Sequence, residues 1–214
     1  MPYDASAEFD RQVRTLLDKG YPAAAGLSCD DLADLLKPLR AGVVRRRAGM
    51  APPTGDRVPF VLVVTRKVVP AEESVPRTTL RTRPGAISRH LADLDRFVAI
   101  ESLDLPAPDA YVILDVERGA EFCDLPPDDA LPAVAARGRT PLTVDEGIAL
   151  VTHFPATLEK NRCWSLAGSR CGDRRVPALW ISKAAPMLGW CWSGTPHGWL
   201  GLASCGARLG AGQA

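Results

Sequence analysis

The sequence predicts an α+β protein: an N-terminal helical hairpin, a mixed α/β region, and a C-terminal antiparallel sheet rich in tryptophan that packs with it. Leucine-rich stripes at helical spacing fall within the first 42 residues. A continuous apolar run at residues 60–64 and a largely apolar segment at residues 110–116, interrupted by Asp115, are typical of strands buried on both faces. Residues 161–205 then alternate short apolar segments with Gly, Pro, Ser and Asp turns, and they hold all five tryptophans.

Size, composition and charge limit the classes of function. The chain has 214 residues, of which 46% are hydrophobic and 24% charged, and this suits a globular domain of ordinary size. Its formal net charge of +1 gives no overall field that would attract DNA, RNA or an anionic membrane. We therefore expect no nucleic-acid partner and no membrane association. The composition assigns no oligomeric state.

The cellular compartment is predicted from the N-terminus and the cysteines. The first ten residues are acidic and have neither the basic start nor the apolar core of a signal peptide. No apolar run approaches the roughly 20 residues needed to cross a bilayer. Six cysteines without an export signal are typical of reduced thiols and not of a disulfide framework. These features predict a cytoplasmic protein.

Residues 1–42 predict the helical hairpin. A first helix runs from about Ala7 to Lys19, with Ser6 as its cap. A second helix begins at Ser28 and carries an apolar face of leucines, namely Leu32, Leu35, Leu36 and Leu39. Because short isolated helices are marginal in water, this face must pack on a larger body.

Residues 43–58 predict a basic linker rich in proline and glycine. Arg45, Arg46 and Arg47 form a triplet without aromatic neighbours. Such a triplet can touch phosphate groups, but a solvated run of charge is the commoner case. The triplet alone falls short of a nucleic-acid binding surface.

Residues 59–208 predict the main α+β domain. Between its two buried strands, residues 87–94 have a weak helical period and residues 97–100 suggest an edge strand. Two helices follow, the second opened by a capping box at Thr143 and Glu146. The pair resembles a helix-turn-helix motif. Its second helix offers acidic and apolar residues instead of base-reading side chains, so we do not expect it to bind DNA.

Period-2 alternation divides the tryptophan-rich sheet at 161–205 into four strands. They cover residues 163–167, 176–182, 187–193 and 199–205. We expect a meander of antiparallel strands backed by helices, with the third strand central because both of its faces are apolar. Gly189 and Gly201 leave room for indoles to lie across neighbouring strands.

The connections between these strands carry the polar side chains of a candidate ligand site. If the strands pair in sequence, the turns at 168–175 and 194–198 open at the same end of the sheet. This arrangement brings the arginines of the first turn toward His197 over a floor of indoles. Arginines in a largely apolar pocket favour a carboxylate or phosphate through forked hydrogen bonds. The predicted ligand-binding residues are Arg170, Arg174, Arg175, Trp180, Trp190, Trp192 and Trp199.

Three side chains of the same turns are candidates for catalysis. His197 is the one plausible acid–base group, Cys171 is the thiol that we expect to be exposed and reactive, and Asp173 could orient a Cys–His pair. Their spacing in sequence does not establish that they meet.

Three alternatives to a ligand site remain open for the tryptophan-rich region. Tryptophans in a sheet usually build core, and arginine turns are usually solvated. Trp and Arg also anchor protein interfaces, so the same surface could bind a protein partner. A zinc site is the third alternative, but Cys163, Cys171, Cys191 and Cys205 have 7, 19 and 13 intervening residues and lack the paired C-x2-C spacing of structural zinc sites.

The leading hypothesis is a protein that binds, and could convert, a small anionic metabolite. The sequence predicts no metal, no cofactor and no particular reaction.

Several long motifs resemble an uncharacterised family of actinobacterial proteins. They read ERGAEF, ARGRTPLTVDEGIALVTHFP, NRCWSLAGSRCGDRRVPALWIS and LGWCWSGTPHGWLG. The resemblance covers residues 106–208 well and reaches the N-terminal half through the turn at Lys19–Pro22. It implies a bacterial, soluble α+β protein and brings no assigned catalytic residues. One departure is the stretch 45–83, which is richer in arginine than the family pattern.

Overall fold

The computed structural model describes residues 3–106 and 109–212 of the chain. The helices of this part are α1 (Ala5–Asp18), α2 (Tyr21–Ala25), α3 (Cys29–Arg45), α4 (Ala71–Arg77), α5 (Pro127–Ala136) and α6 (Val144–His153). Its strands are β1 (Arg57–Val64), β2 (Thr79–Leu80), β3 (Arg83–Pro84), β4 (Ala86–Ile87), β5 (Val98–Ala99), β6 (Ala110–Glu117), β7 (Thr140–Pro141), β8 (Cys163–Ser165), β9 (Ser169–Arg170), β10 (Arg175–Ser182), β11 (Ala185–Trp192), β12 (Leu200–Leu202) and β13 (Ser204–Leu209). The predicted α+β class is confirmed, with helices at the N-terminus and an antiparallel sheet near the C-terminus. Met1 and Pro2, the first residues of the predicted hairpin segment, lie outside the described residues.

Local capping side chains set the starts of α1 and α3, because the first backbone N–H groups of a helix have no partner within it. Asp4, and not Ser6, caps α1, since its carboxylate accepts from the N–H groups of Ser6 and Ala7 at 3.0 Å. The second helix is predicted to begin at Ser28, and in the structure Ser28 is the N-cap of α3, in a reciprocal box with Asp31. Helix α3 continues past residue 42 to Arg45. None of the helices in the described parts combines the length and the apolar composition that a bilayer crossing requires.

The first sheet has the strand order β1-β6-β13-β7 and is antiparallel throughout. One face, which includes Phe60, Leu62 and Val112, packs against the apolar sides of α1 and α3. The other face, which includes Val63 and Tyr111, belongs to a second core that it shares with α6 and the second sheet. The N-terminal helices therefore cover one side of the first sheet, and the rest of the molecule covers the other.

Helix α6 lies between the two main sheets and is buried along nearly its whole length. The predicted capping box is confirmed: the Thr143 hydroxyl accepts from the N–H of Glu146, and the Glu146 carboxylate accepts from the N–H of Thr143. The same carboxylate accepts two hydrogen bonds from Arg208 of β13, at 2.6 and 2.8 Å. Tyr111 of β6 also donates to it, at 3.0 Å. One buried carboxylate thus links α6 to two strands of the first sheet.

The second sheet has the strand order β12-β8-β10-β11-β4. Strands β8, β10 and β11 pair antiparallel as predicted, and β11 is an interior strand. The outer strands depart from a meander, because β12 runs parallel to β8 and β4 runs parallel to β11. The predicted last strand, 199–205, is broken at Ala203. There the chain leaves the second sheet and enters the first sheet as β13.

Residues 87–94 do not form the predicted helix. Ala86 and Ile87 form β4, the chain then turns, and a short 3-10 helix begins only at Leu94. Backbone pairing with β11 decides this, since the N–H of Ser88 donates to the carbonyl of Leu188 at 2.8 Å. A weak apolar period over eight residues is about one half of what an isolated helix needs, so pairing overrides it. The predicted edge strand at 97–100 is present as β5, which pairs with β9.

Candidate functional site

A cavity of about 560 Å³ lies against the second sheet, beside the segment that connects β11 to β12. We call residues 193–199 the crossing segment and this space the aromatic cavity. Its size is in the range of small-ligand sites. The four tryptophans predicted for the site and His197 are all among its lining residues, which are Lys160, Asn161, Cys163, Ala178, Trp180, Ile181, Trp190, Cys191, Trp192, His197, Trp199 and Leu200.

The strand register explains the course of the crossing segment. It begins after Trp192, which pairs with Arg175 at the start of β10. It ends at Leu200, which pairs with Cys163, near the other end of β10. Because β12 runs parallel to β8, the chain must travel back along the sheet before β12 can begin. The crossing segment therefore spans one face of the sheet and bounds the cavity.

Three aromatic rings form a wall of the cavity. Trp180 lies across Gly189 of the neighbouring strand, at a place where a Cβ atom would collide with its indole. The prediction that Gly189 leaves room for an indole is thus confirmed. Gly201 leaves room for the backbone of Gly119 and not for an indole. Trp199 stands edge-on to Trp180, with ring centroids 6.4 Å apart. His197 lies beside Trp199, with 5.5 Å between ring centroids.

The polar edge of the cavity is a two-residue turn formed by Lys160 and Asn161. A β-bridge between Glu159 and Arg162 closes the turn, and Asn161 has a φ of 63°. Asparagine tolerates this left-handed conformation better than most residues, which suits a tight hairpin turn. Lys160 has no ion pair or hydrogen bond within the described parts of the chain. Since the lining residues include no carboxylate, Lys160 gives the cavity a positive edge.

Two thiols belong to the apolar part of the lining. Cys163 and Cys191 are both buried. Burial raises the pKa of Cys163, and it raises the pKa of Cys191 to about 12. Both thiols are therefore protonated at neutral pH and behave as small apolar side chains.

Trp190 and Trp192 border the cavity, but strand register directs their side chains to the opposite face of the sheet from Trp180. There the two indoles lie edge to face, with ring centroids 4.7 Å apart. Trp190 donates its indole N–H to the carbonyl of His90 at 2.7 Å. Trp192 is 50% exposed. The structure thus brings together two of the four predicted indoles, Trp180 and Trp199, and separates the other two from them.

Two of the predicted arginines are engaged by carboxylates outside the cavity. Arg170 lies 3.4 Å from Asp128. Arg175 donates to Asp93 at 2.7 Å and to Asp173 at 2.9 Å. These pairs satisfy the guanidinium groups within the protein, and neither arginine lines the aromatic cavity.

The third predicted arginine, Arg174, reaches Gly194 at the start of the crossing segment. The two turns therefore meet at one end of the sheet, as predicted. His197 is nonetheless not beside the arginines, because the crossing segment carries it along the sheet toward Trp199. The prediction that the arginines, His197 and the indoles lie together assumed a meander of antiparallel strands. Because β12 pairs parallel to β8, these side chains do not lie together.

The three candidate catalytic residues are not assembled. Cys171 donates to the Asp173 carboxylate at 3.1 Å. Hydrogen bonds from Arg175 lower the pKa of Asp173, and burial raises the pKa of Cys171. Cys171 is only 7% exposed, so the prediction of an exposed, reactive thiol is wrong. In the described structure the His197 ring makes no hydrogen bond with either residue.

A second cavity, of about 630 Å³, adjoins the first. We call it the charged lobe. Asn161 lines both spaces, and Gly198 of the charged lobe lies between His197 and Trp199 of the aromatic cavity in the chain, so the two spaces are neighbours. The ionic side chains of the charged lobe are Asp56, Arg57, Glu117, Glu121, Arg137 and Arg162. No sequence pattern indicates this lobe, because its residues come from five separate parts of the chain.

The zinc alternative finds no ligand set in the described residues. Within 3–106 and 109–212, no three side chains of His, Cys, Asp or Glu are grouped closely enough to hold a metal ion.

Lys160 and Asn161 were not among the site residues predicted from the sequence. A signal for them was present, since a Lys–Asn pair directly before an apolar strand is typical of a tight turn. The position of this turn beside Trp199 depends on the pairing of β12 with β8, which local sequence does not specify.

One family model matches residues 15–211, and its description is a family of unknown function, DUF5701. No curated protein and no solved structure matches the chain.

Proposed function

The chain belongs to the DUF5701 family of unknown function, and we propose from its structure that it binds a small anionic metabolite with a flat ring in the aromatic cavity. Trp180, Trp199 and His197 contact the ring, and Lys160 supplies positive charge. The turn at residues 168–175, which we call the arginine turn, is the anion site predicted from the sequence. It has no part in this proposal. An actinobacterial source and a cytoplasmic location stay predictions that accompany it.

The observation that carries the proposal is the composition of the cavity. Two tryptophans on one face of the sheet leave space beside them instead of filling the core, and the one charged lining residue is a lysine without a partner in the described chain. Flat rings gain from edge and stacking contacts with indoles in addition to the apolar area that they bury. A concave, largely apolar space with a few polar groups is the usual form of a small-ligand site.

Binding is proposed without turnover. Conversion of the ligand would need a nucleophile or an acid–base pair in contact with it. Burial keeps the two lining thiols, Cys163 and Cys191, protonated, since it raises the pKa of each. His197 is the one imidazole among the lining residues, and histidine is the side chain that most often serves as a general acid or base in enzymes.

A thermal-shift screen of flat-ring anions, followed by calorimetric titration of the hits, tests the proposal. A ligand at about 100 times its Kd stabilises the folded state by about 2.7 kcal/mol, which raises the Tm by roughly 5–11 °C at this chain length. Trp199→Ala removes one ring of the wall from an accessible position, and we expect it to weaken binding about tenfold or more.

Leu125→Ala is the matched control for this experiment. Leu125 is an exposed apolar side chain that does not line the cavity. The control should bind each hit as the unchanged protein does. Equal affinity in Trp199→Ala and Leu125→Ala would contradict the proposal.

A second candidate function, a protein-interaction module, is favoured by Trp192. Its indole is half exposed on the face of the sheet opposite Trp180, and exposed tryptophans are common interface anchors. This function predicts that Trp192→Ala abolishes the binding of a purified protein partner while Trp199→Ala does not. The reverse pattern with small-molecule ligands would favour the aromatic cavity.

A further inference from the structure

The aromatic cavity and the charged lobe are neighbouring spaces, which we group together as one cleft. Asn161 lines both, so a ligand longer than a single ring can extend from one space into the other past the turn at residues 159–162. Lys160 lines the aromatic cavity, and Arg162 lines the charged lobe. The two cations therefore stand on either side of Asn161, at the junction.

Most ionic groups of the charged lobe are neutralised within the protein. Arg57 pairs with Asp115 at 2.6 Å, and Arg137 forms ion pairs with both Glu117 and Glu121. These ion pairs leave little net charge in the part of the lobe that Arg57 and Arg137 line.

The turn at the junction differs from the rest of the lobe. The nearest carboxylate to Arg162 is that of Glu159, at 4.0 Å, which is long for an ion pair. Glu159 is also engaged by the buried guanidinium of Arg118, at 3.2 Å. Lys160 has no partner in the described chain. The positive charge of the cleft is thus concentrated in two side chains at one place.

We propose, resting on the function proposed above, that this turn is the anion subsite. The ligand is a flat ring joined to a phosphate or carboxylate group, with the ring in the aromatic cavity and the anionic group between Lys160 and Arg162. Arg162 can offer a fork of N–H donors to two oxygens of the anion, and Lys160 adds a second charge. Lys160 and Arg162 thus replace the arginine turn as the proposed anion-binding residues.

Calorimetric titration with three probes of the same ring tests the subsite. The probes are 2-naphthol, 2-naphthoate and 2-naphthyl phosphate, with inorganic phosphate as a fourth titrant. The proteins are the unchanged chain, Arg162→Ala, Lys160→Ala and two controls. Lys37→Ala removes an exposed lysine of α3, and Arg174→Ala tests the arginine turn.

We expect at least one naphthyl anion to bind about tenfold or more tightly than 2-naphthol, and the better anion shows whether the subsite prefers phosphate or carboxylate. Arg162→Ala and Lys160→Ala should each remove most of this difference and leave 2-naphthol binding unchanged. The two controls should behave as the unchanged chain. Weaker anion binding in Arg174→Ala, with Arg162→Ala unaffected, would overturn the assignment.

The failures of the two proposals are distinguishable. If 2-naphthol and the anions bind equally and Trp199→Ala weakens all of them, ring binding stands and the anion subsite is refuted. If inorganic phosphate alone binds as tightly as 2-naphthyl phosphate, the ring contributes nothing and the proposed function fails. Binding of none of the probes overturns both.

Discussion

At the scale of single residues, the aromatic cavity depends on a glycine. Gly189 faces the same side of the second sheet as Trp180, and its missing side chain is the space that the indole occupies. The φ angle of Gly189 is not in the left-handed region. Its role is therefore steric, and any larger residue must displace the ring.

We predict that Gly189→Ala destabilises the protein by about 1–3 kcal/mol, the usual cost of overpacking a tight contact. The same change should weaken binding in the aromatic cavity, because the displaced indole no longer lies beside Trp199. Urea unfolding measures the stability, and calorimetric titration measures the affinity.

Gly55→Ala is the matched control for this substitution. No atom lies within 4 Å of a Cβ built at Gly55, and its φ is not positive. We expect its stability to change by no more than about 0.5 kcal/mol. A Gly189→Ala protein as stable as Gly55→Ala would show that Trp180 can move without loss.

At the scale of elements, helix α6 organises the molecule from the inside. It has a sheet on either side, and Glu146 in its first turn is fully buried. Arg208 binds this carboxylate with a forked pair of hydrogen bonds from β13. Burial and the neighbouring Glu146 charge also raise the pKa of Tyr111, which keeps its hydroxyl a donor to that charge.

We predict that Glu146→Gln lowers the free energy of unfolding by about 3–5 kcal/mol, because it leaves the Arg208 charge buried without a counterion. The exposed pair of Asp10 and Arg40 is the matched control, with both side chains 43% exposed. Asp10→Asn should cost no more than about 1 kcal/mol. Urea unfolding measures the loss of stability in both variants from the shift of the midpoint, provided that the slope m is unchanged. Equal losses of stability in the two variants would mean that water reaches the Glu146 site.

The elements that the sequence predicts well are those defined by local signals. The capping boxes at Ser28 and Thr143 each fix a helix start within four residues of chain. The buried strands β1 and β6 are recognisable because continuous apolar runs bounded by polar residues are typical of strands covered on both faces. The helix predicted at 87–94 is absent from the structure, and its sequence had only a weak helical period of apolar residues and no capping residue.

The parts of the fold that the sequence does not predict are those set by distant pairing. Residues 199–205 alternate like one strand, but Ala203 is the point where the chain changes sheets. Both halves are buried, so no change of pattern marks the break. The parallel pairing of β12 with β8 is also non-local, and it separates the candidate site. It places His197 and Trp199 at the aromatic cavity, while Arg170 and Arg175 pair with carboxylates elsewhere.

At the scale of the whole molecule, the predicted segments 1–42, 43–58 and 59–208 share their cores. The buried side chains of α1 and α3 form one cluster with Phe60, Leu62 and Val64 of β1 and Leu209 of β13. The C-terminal strand β13 lies inside the first sheet, between β6 and β7. The first and last parts of the chain thus complete the same layer, and neither has a core of its own.

We predict that removal of residues 1–45 abolishes cooperative unfolding, because it exposes the apolar face of the first sheet to water. The control keeps these residues and introduces a protease site in the exposed segment 51–56. After cleavage the two pieces should stay associated and unfold together, since the contacts and not the covalent link hold the helices in place. Calorimetry and circular dichroism report both results. A shortened chain that keeps a sharp transition would show that the helical hairpin is a separate unit, and the aromatic cavity could then be studied without it.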